Sequence, residues 1–307
     1  MTPGVVSGIG LFVGALALGW WGRRRGWLDE VRASRLVRWI VIGPSPVVLC
    51  LSFWAMDLRT PGPWLLPLLG LAISASTLIP AYLYTRRTRL PDPQTGSFLT
   101  CAFFSNLGYL GAFTAFALHG EVAYGLCVLY FVFFTPSFYT WGFWVGARYG
   151  QEAQVTGEPV GRRLRLVPFL GMALGAVLSM LRVPRPELLG WLNHVLIPVD
   201  TGVYLMAIGS QLTFASPRPW LNASLAMCGI KFLYTPAVAW CLASLAGLQG
   251  LPRWVVLLEA SMPVAVSPLA LPMLFGLDRR LSNALWVFTT AVSVPWLLTV
   301  IPFLERL

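Results

Sequence analysis

Phe104-Ser105-Asn106-Leu107-Gly108-Tyr109-Leu110-Gly111 and Glu259-Ala260-Ser261-Met262-Pro263-Val264-Ala265-Val266-Ser267-Pro268 are the two stretches whose reading decides the fold. Each lies inside an apolar run of the length that crosses a bilayer as a helix, and each carries residues that interrupt one. Glycines next to an asparagine loosen a helix, and a proline removes a backbone donor and clashes with the preceding turn. Both runs are therefore expected to break near mid-membrane. Non-helical backbone at that depth persists only where protein buries it or it lines a wet cavity. Each break leaves the second half-helix with unbonded N–H groups and a partial positive charge at its start, a place suited to a carboxylate or another small anion. The candidate substrate contacts are Ser105, Asn106, Gly108 and Gly111 in the first stretch and Ser261, Met262, Pro263 and Ser267 in the second.

The surrounding sequence explains why a bilayer is the right solvent for this reasoning. Apolar residues fill 57% of the 307 positions and charged residues 11%, and the mean hydropathy is +0.70, far from the roughly one-quarter charged content of soluble domains. Apolar runs of about 20 residues alternate with short polar loops, as a hydrocarbon layer of about 30 Å requires. Ten spans are predicted, at 4–21, 37–57, 63–85, 97–118, 122–147, 164–181, 188–213, 220–247, 252–276 and 281–304. The first is read as a retained helix and not a secretion signal, because nothing basic precedes it and Arg23-Arg24-Arg25 follows it. No polar interval is long enough for a soluble domain, so function belongs inside the membrane.

The formal net charge of +10 is a topological signal. Sixteen of the 22 basic residues fall in the loops after spans 1, 3, 5, 7 and 9, five fall on the other face, and Lys231 lies within a span. By the positive-inside rule both termini lie outside the cytoplasm, and the basic balance carries no nucleic-acid role. The expected location is the plasma membrane, a bacterial inner membrane. Seven tryptophans (Trp20, Trp21, Trp27, Trp39, Trp64, Trp220 and Trp254) fall near predicted interfaces and read as boundary anchors. The five cysteines lie within apolar runs without metal-type spacing and read as small buried residues; no metal or other cofactor is expected.

One internal offset recurs. Pro80 and Pro236, Ser105 and Ser261, and Gly120 and Gly276 each differ by 156 positions. Five spans per repeat is an odd number, so the second half enters the membrane in the opposite direction, as the arginine pattern independently requires. The expected fold is an all-α polytopic membrane protein of ten transmembrane helices, built as two inverted five-helix repeats with broken helices 4 and 9. The first repeat spans 1–147, a cytoplasmic loop 148–163, and the second repeat 164–307.

At the two interrupted stretches the chain resembles the auxin efflux carrier family, which includes malate-permease-like proteins. Asn106-Leu107-Gly108-Tyr109-Leu110-Gly111, with Gly120 beyond it, is similar to that family's first-half motif. Glu259-Ala260-Ser261-Met262-Pro263, with Gly276-Leu277-Asp278 beyond it, is similar to its second-half break. The chain departs from the family at Ala112-Phe113 and at Val264, where the family often has proline. The resemblance implies that helices 4 and 9 cross, that spans 1, 2, 6 and 7 form a scaffold, and that spans 3–5 and 8–10 form a moving transport bundle. It implies carriage of a small organic anion by an elevator-like motion.

Three ionisable residues sit well within spans: Asp200, Lys231 and Glu259. A lone charge at that depth costs at least about 2.5 kcal/mol on insertion scales, so each needs a partner, water or neutralisation. Glu259, one turn before Pro263, is expected either to pair with Lys231 or to take up a coupling proton; a static pair that fixes helix packing is the alternative. His119 and His194 read as interfacial residues. The expected partners are the bilayer, a small organic anion and a second copy of the chain, with a proton ahead of sodium as the coupling ion. No motif of an enzyme is present. A ligand sensor of transporter shape and a sodium-coupled carrier of the bile-acid type are the rival readings.

Overall fold

The computed structural model describes residues 3–151, 167–210 and 218–306. Most of the expected cytoplasmic loop, including Arg162 and Arg163, lies outside the described residues, as do Arg165 and the expected ends of spans 6 and 7 at 164–166 and 211–213. Among the described residues the chain is helical, and no strand is present beyond one isolated bridge. The helices are α1 (Pro3–Arg24), α2 (Glu30–Ile42), α3 (Pro44–Ala55), α4 (Pro61–Ser76), α5 (Leu78–Thr88), α6 (Asp92–Phe103), α7 (Ala112–Tyr130), α8 (Phe134–Ser137) and α9 (Phe143–Tyr149). They continue with α10 (Val167–Met180), α11 (Glu187–Gly209), α12 (Leu221–Cys228), α13 (Thr235–Leu245), α14 (Gly250–Ala260), α15 (Leu271–Phe275) and α16 (Arg279–Leu304).

Six helical stretches among the described residues are long and apolar enough to cross a membrane: Val31–Ala55, Pro61–Thr88, Leu107–Tyr149, Glu187–Gly209, Leu221–Leu245 and Arg279–Leu304. Val167–Met180 is a shorter apolar helix. Their outward side chains are apolar: Leu68, Ile79, Leu170, Leu188, Leu233 and Leu245 are all more than half exposed. Water would not tolerate that much apolar surface, whereas lipid tails do. The chain is an integral membrane protein. The stretch Leu107–Tyr149 has 43 residues, about 65 Å as a straight rod and twice the hydrocarbon thickness. It is broken at Gly120, whose φ of 74° and ψ of −164° only glycine adopts freely.

Interruptions elsewhere follow from local chemistry. Gly43 and Pro44 separate α2 from α3. Thr77, between α4 and α5, turns its hydroxyl onto the carbonyls of Ser74 at 2.7 Å and Ala102 at 2.9 Å. A π-helical turn over Gly229–Tyr234 joins α12 to α13, and Pro236, which lacks the N–H an α-helix would need there, follows it. Asp29 and Asp278 cap α2 and α16 by accepting from the amides of Arg32 and Leu281.

The chain divides into two compact units. The first comprises residues 1–64, 108–128 and 157–212, and the second 65–107, 129–156 and 213–307. In the first, α1 packs on α11 and α3 on α10 through glycines. A Cβ on Gly19 would sit 1.9 Å from the carbonyl oxygen of Met206, and one on Gly175 would sit 2.1 Å from that of Cys50. Such contacts need a residue without a side chain. In the second unit, α6 packs against α5, α9 and α16, and α16 also packs against α12 and α14.

Two sequence expectations fail in detail. Trp254 is buried against protein on α14 and does not face outward, while Trp27, Trp39 and Trp64 are exposed. Cys241 is exposed and Cys50 and Cys228 are half-buried, so only Cys101 and Cys127 are the buried small residues foreseen. Both differences arise because span length places a residue along the membrane normal but says nothing of which helix face meets a neighbour.

Candidate substrate site

Helix α6 stops at Phe103, and Phe104 turns to extended backbone with φ −90° and ψ 118°. The chain resumes in a π-helical turn over Leu107–Gly111 that runs into α7. On the other stretch α14 stops at Ala260, and the chain resumes as a short 3-10 turn over Ser267–Ala270 that runs into α15. Between those ends the two stretches lie antiparallel, with Ser105 paired opposite Val264. The amide of Asn106 donates to the carbonyl of Pro263 at 2.8 Å, and the amide of Ala265 donates to the carbonyl of Phe104 at 3.0 Å. The Val264 amide points elsewhere, to Thr289 Oγ1 at 3.3 Å. Backbone groups that the breaks freed are thus paired with each other instead of being left bare in the membrane.

The crossing is buried and polar at once. Ser105, Asn106, Ser261, Met262 and Val264 are all buried, and Lys231 and Glu259 are fully so. Lys231, on the π-helical turn, donates from Nζ to the Ala102 carbonyl at 2.6 Å and to Ser105 Oγ at 2.7 Å. The Asn106 side-chain Nδ2 is buried with no hydrogen-bond partner. Aromatic rings wall one side, with Phe104 against Phe134 and Phe138, and Phe103 stacked on Trp141. A shallow open recess adjoins it, lined by Phe103, Leu107, Tyr130 and Phe134 among others.

Ser105, Asn106, Ser261, Met262, Pro263, Lys231 and Glu259 all belong to the second unit, with Ser267 half-buried at the start of the 3-10 turn, and the bonds above link Lys231 to Ser105 and Asn106 to Pro263. Gly108 and Gly111 belong to the turn that continues from Asn106 and are counted with the first unit. Asp200 is also in the first unit, on α11, where it is 7% exposed and accepts from Ser45 Oγ at 2.6 Å. His194 packs against the ring of Phe116, with centroids 4.8 Å apart.

Sequence reading missed Thr77, Thr289 and the Ala102 carbonyl. The first two had a weak signal, since a threonine near a proline-disturbed turn often repairs lost backbone bonds. A main-chain carbonyl has no signal in residue type at all. A further polar cluster in the first unit was also missed. Arg185 pairs both nitrogens of its fork with Glu121 and donates to the Leu51 carbonyl at 3.0 Å, while Asn193 Nδ2 donates to Glu121 at 2.8 Å and Ser52 at 3.0 Å.

Two interrupted helices are thus paired backbone to backbone inside an integral membrane protein. Residues 161–301 match the sequence pattern of the family described as membrane transport protein. The chain is 24% identical over 273 residues to an uncharacterized transporter of Methanothermobacter thermautotrophicus, covering 88% of each. It is 26% identical over 227 residues to an uncharacterized transporter of Methanocaldococcus jannaschii, covering 70% of each. These similarities to membrane transport proteins support the resemblance to the auxin efflux carrier family read at the two interrupted stretches.

Proposed function

We propose that this protein carries a small organic anion, a carboxylate, across the plasma membrane, and that the anion binds at the crossing of the two interrupted helices. One observation carries the reading: an unpartnered, buried Asn106 amide nitrogen sits in a backbone crossing next to the start of a half-helix. A buried donor without an acceptor costs about 1–3 kcal/mol, and an anion's oxygens would repay it. Ser105, Asn106, Ser261, Met262, Pro263 and Ser267 are the proposed contacts, with Gly108 and Gly111 letting the backbone turn immediately after Asn106.

The proposed architecture is ten crossings in two inverted repeats, both termini on the non-cytoplasmic side. Two structural coincidences support the 156-residue offset. Gly120 and Gly276 both take positive φ, at 74° and 69°. Gly19 meets Met206 while Gly175 meets Cys50, so the two glycines and their two carbonyl partners are each displaced by 156 positions, in opposite sense. A two-fold relation between repeats has that consequence. The proposed motion is of elevator type, with the crossing-bearing unit carrying the anion, and the proposed assembly is a homodimer.

Reconstituted in liposomes, the protein should accumulate radiolabelled malate or succinate. Binding without flux would make it a sensor and sink the proposal, as would uptake of none of a panel of mono- and dicarboxylates. Proton coupling is proposed to run through Glu259. The Glu259→Gln protein should take up the anion without response to an imposed proton gradient; a wild-type response would remove Glu259 from that role.

A further inference from the structure

Lys231 is the fully buried cation of the crossing, and its two bonds are unusual for an ammonium in a membrane. Both partners are uncharged oxygens at the broken end of α6: the Ala102 carbonyl at 2.6 Å and Ser105 Oγ at 2.7 Å. Both contacts are short for an N–H···O hydrogen bond. The Ala102 carbonyl is one of the groups α6 leaves without a helical partner, and the C-terminal end of a half-helix carries partial negative charge that a cation complements. Thr77 Oγ1 donates to the same carbonyl at 2.9 Å. These contacts explain how the site holds an ammonium with 0% exposure, yet a carbonyl dipole and a hydroxyl offset only part of a full charge.

Ser105 gives that charge a direction. Its Oγ accepts from Lys231, which leaves its own hydroxyl proton to be donated elsewhere, and Ser105 is the residue paired opposite Val264 at the centre of the crossing. Accepting from a cation also polarises the hydroxyl and strengthens it as a donor. Asn106, the next residue, presents the unpartnered amide.

We infer that Lys231 is the charge-selecting residue of the crossing, admitting anionic solutes in preference to neutral ones by completing its neutralisation with the bound anion, partly through the Ser105 hydroxyl. The inference rests on the crossing being the substrate site, as proposed above.

The test compares succinate, malate and benzoate with their uncharged amides, by melting-temperature shift and titration calorimetry on the full-length protein. The wild type should bind at least one carboxylate ten times or more tighter than its amide. Lys231→Gln keeps a hydrogen-bond donor for Ala102 and Ser105 but removes the charge. It should lose that carboxylate preference, with affinity for the amide within about threefold of wild type, and Lys231→Arg should restore part of it. A purely structural lysine would lower the melting temperature of the ligand-free protein and leave the carboxylate-to-amide ratio unchanged, which overturns the inference. Should Lys231→Gln fail to fold, Ser105→Ala carries the test: its ratio should fall severalfold, and a wild-type ratio overturns the inference. Wild-type binding of amides but of no carboxylate would sink both the substrate proposal and this one, whereas a wild-type preference retained by the variants would sink this one alone.

Discussion

Both units bring helices close at glycines, as Gly70 does against the Tyr130 carbonyl and Gly150 against the Phe275 carbonyl in the second, but the second adds a backbone crossing. In the first, α1 meets α11 and α3 meets α10 where glycines admit the facing carbonyls to within a distance that no side chain would permit. In the second, the contact at the crossing is a pair of reciprocal amide-to-carbonyl bonds with a lysine beside it. Close apolar packing has one good geometry and resists deformation, which suits a frame. Interrupted helices joined by hydrogen bonds keep polar groups concentrated at one depth, which suits a site. The contrast predicts that substitutions in the first unit will act mainly on stability and those at the crossing mainly on binding.

Gly175→Leu should break the contrast most severely. Its Cβ alone would lie 2.1 Å from the Cys50 carbonyl oxygen, so α3 and α10 must separate, at a cost of about 3 kcal/mol or more. Little folded protein should survive size-exclusion chromatography in detergent, while Leu174→Ala, an exposed neighbour, should elute as wild type. Equal behaviour of the two would mean that the glycine contact does not hold the unit together. Ala265→Pro comes next. It deletes the amide that donates to Phe104 and strands a buried carbonyl at about 1–3 kcal/mol. Carboxylate-induced thermal stabilisation should vanish, with the ligand-free melting temperature falling by less than in Gly175→Leu. Retained stabilisation would separate the crossing from the site.

How much of this was legible in the chain depends on whether the cause is a residue or a neighbour. Pro263 and the Asn106–Gly111 run announced their breaks because proline and glycine disrupt a helix wherever they occur, and the structure has breaks at both places. The antiparallel pairing of Ser105 with Val264 was not legible, since register is a property of two segments in space and neither reads as a strand. The sequence leaves Lys231 in need of a partner, water or neutralisation; the carbonyl of Ala102 and the hydroxyl of Ser105 are partners that no charge pattern reveals. Asp200 was grouped with the other two buried charges because all three sit at similar depth along their spans. The structure places it in the other unit, beside Ser45.

A smaller effect sharpens the same comparison from the polar cluster of the first unit. Arg185 and Glu121 are each 19% exposed, and Asn193 is fully buried against the same carboxylate. Arg185→Ala leaves Glu121 with only the Asn193 amide among the donors seen here, and part of the lost energy is recovered by hydration at the exposed edge. About 1–2 kcal/mol of destabilisation is expected, between the values for exposed and fully buried pairs. Arg185→Lys should recover less than half of it, because an ammonium cannot make the two-pronged contact. Thermal melts of the three proteins without ligand measure this, and an Arg185→Ala protein that melts as wild type would reduce the cluster to surface decoration.

The mildest prediction concerns Asp200, which the contrast assigns to the frame although its chemistry would suit a site. Asn in its place still offers an oxygen to the Ser45 hydroxyl, 2.6 Å away in the native protein, and it removes the cost of burying a carboxylate that is 7% exposed. Asp200→Asn should therefore melt at or slightly above the wild-type temperature and take up carboxylate at a rate within about twofold. Its uptake should also respond to an imposed proton gradient as the wild type does, since the proposed proton carrier is Glu259 in the other unit. If Asp200→Asn abolishes that response while Glu259→Gln preserves it, the coupling group lies in the unit read here as frame, and the division of labour between close packing and broken helices fails at that point.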